Sequence, residues 1–158
     1  MRRWLTRSMI PIVIASSALA LSAGPASSSG DSRSTPLVTV LTGAQEAPGP
    51  GDTDGRGVFA GVVKGDTLCY VLVANRIEPA AAAHIHVAPA GEPGPIVVGL
   101  TPPNRVSADC ITAVPDAQNT QDTLSESELA AILATPSDYY VNVHNEPFPA
   151  GAIRGQFR

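Results

Sequence analysis

Short apolar, β-branched runs broken by Gly-, Pro- and Asp-rich stretches fill the chain from residue 37 onward. Leu37-Val38-Thr39-Val40-Leu41 opens the series, and residues 43–57 then read as a loop. RGVFAGVVK and TLCYVLVAN follow, separated by Lys64-Gly65-Asp66, a tight turn that makes the pair a hairpin. AHIHVA and PIVVGL flank the turn-forming PAGEPG, and YYVNVHNE and GAIRGQF close the chain around a Pro147–Gly151 turn. One segment has a different period. Ser125 and Glu128 stand at capping-box spacing, Leu124 and Leu129 at staple positions, and Leu129, Ile132 and Leu133 form one apolar face before Pro136. About seven short strands with one short helix predict an all-β fold, an antiparallel sandwich or barrel.

The first residues have another character. Arg2, Arg3 and Arg7 precede the apolar run MIPIVIASSALAL, and small residues follow. This predicts an export signal over residues 1–26, with Arg2-Arg3-Trp4-Leu5 faintly like a twin-arginine start. The run is too short and interrupted for a membrane span. Residues 27–36 read as a flexible leader, and residues 37–158 as one domain. Cleavage removes three of the ten basic residues, leaving seven against 14 acidic ones, a formal charge of −7. That excess argues against nucleic acid and anionic lipid as partners. An exported chain meets an oxidising compartment, so Cys69 and Cys110 are expected to form a disulfide, the alternative being two buried thiols.

Candidate chemistry centres on three histidines, all that the chain has. Strand alternation puts Ile85 and Val87 on one face of AHIHVA, and His84 and His86 on the other. In YYVNVHNE, Val141 and Val143 face one side, with Tyr140, Asn142 and His144 opposite. If the strands are neighbours, three imidazoles converge. A neutral imidazole set with an open fourth position suits copper(II) or zinc. The competing reading is three solvated or hydrogen-bonded surface rings. Glu46 and Arg154 are a candidate ion pair across the sheet, structural in role. GDTDG has the first acidic spacing of a calcium loop without its later ligands and reads as a solvated turn. A phosphate-binding Gly loop, GxSxG and HExxH are all missing from the sequence.

LTGAQEAPGPGDTDGRGVF, AHIHVAPAGEPGPIVVGL and LSESELAAILATPSDYYVNVHNEPFPAGAIRGQF, in that order, resemble the CHRD (chordin-type) domain family over about residues 37–158. YVNVH followed by PxGxIRGQ is the most specific part. Ala152 departs from the acidic residue common in GEIRG, and Asn145 from a common Thr. The resemblance implies a secreted β-sandwich similar to immunoglobulin-like folds, in a single-domain bacterial-type form, and little about activity. A narrower likeness links the H-x-H strand to copper/zinc superoxide dismutases, but the histidines that complete their two-metal site are missing. Three functions follow: an exported non-enzymatic binding or structural domain with a protein or cell-envelope partner; a single-site copper or zinc protein using His84, His86 and His144; and, least favoured, a metal-dependent oxidoreductase such as a dismutase.

Overall fold

The computed structural model describes residues 34–120 and 122–158. The expected signal, residues 1–26, and most of the expected leader lie outside the described residues. Eight strands form: β1 (Thr35–Thr42), β2 (Arg56–Lys64), β3 (Thr67–Asn75), β4 (Ala80–Val87), β5 (Ile96–Leu100), β6 (Val106–Thr112), β7 (Tyr139–Asn145) and β8 (Ile153–Gln156). β1 takes in Thr35 and Pro36, two residues ahead of the apolar run that announced it. Seven of the strands match the sequence expectation, and β6 is the addition. Its sequence, VSADCIT, is short and carries Asp109 among small residues, so its apolar pattern is weak. It is an edge strand, where one partner and little burial suffice.

The strands make one antiparallel sheet in the order β5-β4-β7-β8-β1-β2-β3-β6. The sheet curls into a nearly closed barrel, so β5-β4-β7-β8 and β1-β2-β3-β6 face each other across a single core. Leu41, Phe59, Leu72, Ile85, Val141 and Ile153 are among its buried residues. Phe59 stacks on Tyr70 at 5.4 Å and meets Phe157 edge-on at 5.5 Å, joining the halves. Burying such side chains contributes roughly 1.5–3 kcal/mol each. The two edges are bridged by side chains. The Thr101 N–H donates to Tyr70 Oη at 2.8 Å, Ser107 Oγ to Thr101 O at 2.7 Å, and Thr101 Oγ1 to Asp109 Oδ2 at 3.0 Å.

Local signals hold where their chemistry is explicit. Gly65 has φ +62° in the turn between β2 and β3, a conformation that favours glycine. Helix α1 (Glu126–Ala134) has both halves of its capping box: Glu128 N–H donates to Ser125 Oγ, and Ser125 N–H to Glu128 Oε2. Leu124, Leu129 and Ile132 are buried in the core. In GDTDG, Asp52 Oδ1 accepts from the N–H groups of Asp54 and Gly55, so this carboxylate closes its own turn. Cys69 and Cys110 sit opposite each other on β3 and β6 and form the disulfide, which sets the free-thiol alternative aside. Among the described residues, no helix is long and apolar enough to cross a membrane.

Candidate metal centre

β4 pairs with β7, and β7 with β8, so three strands contribute to one outer face. The register aligns His84 with Asn142 and Arg154 in one row, and His86 with Tyr140 and Gln156 in the next. His144 lies opposite Ala82, one step along β7 from Asn142. The alternation of both strands thus brings the three histidines together, as their parity predicted. This face is not a solvated surface. His86, Tyr140, Asn142 and Arg154 are all buried, and His84 and His144 are half-buried.

Their cover is the segment after β4, which folds back over the face. Arg154 is only 1% exposed, and its guanidinium donates to Glu92 O, Pro89 O and Gln156 Oε1. Gln156 Nε2 donates to Ala88 O and Ser137 O. The Gly94 N–H donates to Tyr140 Oη at 3.2 Å. At Gly94 a Cβ would collide with the Val87 carbonyl, so glycine permits this close return of the chain. A stack runs through the layer. Arg154 lies 3.4 Å over the Tyr140 ring, and that ring stacks on His86 at 4.8 Å and 5°. The imidazole of His86 is thereby fixed in plane and position.

Hydrogen bonding decides which nitrogens carry lone pairs. His86 Nδ1 lies 2.9 Å from Gly94 O. A carbonyl only accepts, so Nδ1 bears the proton and Nε2 the lone pair. That Nε2 is buried and has no hydrogen-bond partner. His144 Nδ1 is likewise 3.1 Å from Pro149 O, which leaves its Nε2 unprotonated. His144 Nε2 also lies 3.0 Å from Asn142 Oδ1, and the amide can present its NH2 end instead. His84 Nδ1 is 3.1 Å from the lone pair on His144 Nε2 and so donates to it in the metal-free protein; no backbone carbonyl holds that proton, and it can move to Nε2 when the bond is given up.

Charge reinforces this state. Burial, then the neighbouring rings of His144 and His86, hold the His84 pKa down to about 4. Burial likewise pushes His86 and His144 below the usual histidine value. Three neutral imidazoles at pH 7 therefore stand with ligand atoms all within 4.8 Å of one another. Tetrahedral zinc with Zn–N bonds of about 2.0–2.1 Å spaces its nitrogens about 3.3 Å apart. The closest pair is already at 3.1 Å, and the widest would close by up to about 1.5 Å through ring rotation. The carbonyls on Nδ1 of His86 and His144 are the outer partners that metal-binding histidines use to fix their tautomers.

Glu46 and Arg154 are neighbours, but the expected ion pair is not what organises either. The Arg154 guanidinium makes its hydrogen bonds elsewhere, and Glu46 Oε1 is buried without a partner. Burial outweighs the pull of Arg154 and raises the Glu46 pKa to about 7. The carboxyl packs against Gly151, whose φ of +144° and missing Cβ leave room for it. Arg154 is instead the clamp of the histidine layer. Sequence parity placed Tyr140 and Asn142 beside His144 but not the roles of Gly94, Arg154 and Gln156. Those depend on a loop return that no local pattern encodes.

The CHRD domain model matches residues 37–157. No curated protein and no solved structure matches the chain.

Proposed function

The chain belongs to the CHRD domain family, and from that premise we propose that it is an exported, non-enzymatic domain that binds one copper or zinc ion through His84, His86 and His144. One observation carries the reading: the buried, unpartnered Nε2 of His86 faces a cluster whose other ligand atoms lie within 4.8 Å. A buried lone pair without a donor costs roughly 1–3 kcal/mol, and a metal ion removes that cost. Imidazole nitrogens accept both metals, with copper(II) the tighter in the general affinity order. Three protein ligands would leave a fourth position for a further donor. The disulfide supports the exported location, since such bonds persist in oxidising compartments. Dismutase chemistry is not part of the reading, because the chain has three histidines in all.

The test is the metal content of tagless protein purified from an exported preparation, beside a His84→Ala/His86→Ala/His144→Ala variant shown by circular dichroism to be folded. The expected result is near one copper or zinc per chain after loading and dialysis, lost in the variant. Equal and negligible metal in both would refute the reading and leave a binding domain whose histidines are structural.

A further inference from the structure

The opposite side of the barrel carries a surface that the described residues leave uncovered. On β1-β2-β3-β6 the outward residues align in rows across four strands. The central row is Val38, Ala60, Val71 and Ala108. Beside it run Val40, Val58, Val73 and Val106. On the other side Pro36 and Val62 continue into the Cys69–Cys110 disulfide. No charge or hydrogen-bonding side chain interrupts the three rows. Val38, Val40 and Val106 are 56–58% exposed, and Val58, Val62 and Val71 are each 41% exposed. Isolated exposed valines are ordinary, whereas a contiguous apolar sheet face calls for a cover.

We propose that a second copy of this chain covers this face, the two sheets packing against each other across a two-fold axis. Three features favour a copy over another occupant. The six valines alone offer about 480 Å² per chain, so a pair would bury on the order of 1,000 Å² before Pro36, Ala60, Ala108 and the disulfide are counted, which reaches the threshold of specific interfaces. The surface is a broad, β-branched sheet, the kind that packs face to face about 10 Å from another such sheet. Its centre is the small Ala60, midway along β2, which lets two sheets approach there.

The charges are confined to the rim: Arg56 and Asp54 stand at one end of β2, Lys64 and Asp66 at the other, so each end carries one charge of each sign and the centre of the face is free of charge. The assembly leaves both histidine clusters on the outer sides, so it is independent of metal binding.

Sedimentation equilibrium of the whole chain from 1 to 100 µM decides the matter, with EDTA present so that metal bridging cannot join molecules. The expected result is twice the chain mass, with dimerisation weakened at least 100-fold by Ala60→Glu and by Val71→Lys. Both positions point away from the core, and circular dichroism would check that each variant folds. A monomer throughout the range overturns the proposal, as does a dimer that both substitutions leave intact. A monomer that floats with phosphatidylcholine vesicles and is released by Ala60→Glu also overturns it, assigning the face to lipid.

Discussion

Acid competes with a metal for imidazole, and here the burial of the site determines how strongly. The perturbation is a shift from pH 7 to pH 5.5. A ring with the ordinary pKa near 6.5 is then about ten-elevenths protonated, against about a quarter at pH 7, which weakens its binding about 8-fold, and three independent rings would lose about 600-fold. His84, held down to about 4 by burial and by its neighbours, is only about 3% protonated at pH 5.5. His86 and His144 are shifted in the same direction by burial. His84 then contributes almost nothing to the loss and the other two rings each less than an ordinary histidine would, so the zinc dissociation constant should rise less than about 70-fold between pH 7 and pH 5.5. Equilibrium dialysis with elemental quantification reads this without an indicator that itself titrates. A loss near 600-fold would show the rings titrating as exposed histidines and would refute the desolvated cluster.

Two further predictions concern stability. In metal-free protein His84 and Glu46 act in opposite directions: between about pH 4 and 6.5 the unfolded chain binds the proton that folded His84 refuses, so its contribution to stability grows as pH rises. Glu46, with a folded pKa of about 7, binds its proton more tightly when folded, and its contribution falls as pH rises from 4.5 through 7. Glu46→Gln should accordingly gain stability relative to the parent protein between pH 5 and pH 8, by about 1–2 kcal/mol once solvent screening is allowed for. Urea melts at the two pH values measure this, and a difference that does not change with pH would mean an ordinary, ionised carboxylate. The disulfide closes a 41-residue separation. Loop-closure entropy then implies that Cys69→Ala/Cys110→Ala costs about 4 kcal/mol, a fall of roughly 10–15 °C in Tm by calorimetry. A fall below about 3 °C would mean that the ladder between β3 and β6 already restricts the unfolded chain.

Much of the architecture was legible because its causes are local. Alternation in RGVFAGVVK, a glycine turn and a capping box each act over a few residues, and each appears in the structure where the sequence put it. The edge strand β6 escaped notice because its stability comes from pairing with β3 and not from its own side chains. Cys110 was the available clue, since a bond to Cys69 requires a chain segment alongside β3.

For the candidate site the division is similar. Parity along two strands was enough to put His84, His86 and His144 on outward faces, because side-chain direction in a strand has a period of two. That β4 and β7 are neighbours, with Arg154 and Gln156 alongside on β8, is a matter of strand order, which depends on how the whole sheet packs. Only the tertiary structure buried that outer face under the 88–95 segment, lowered the ring pKa values and tied two Nδ1 atoms to carbonyls. It also turned the expected partner of Glu46 into the clamp of the histidine layer. Desolvation and hydrogen-bond choice depend on every neighbour in space, and a sequence by itself specifies only the neighbours along the chain.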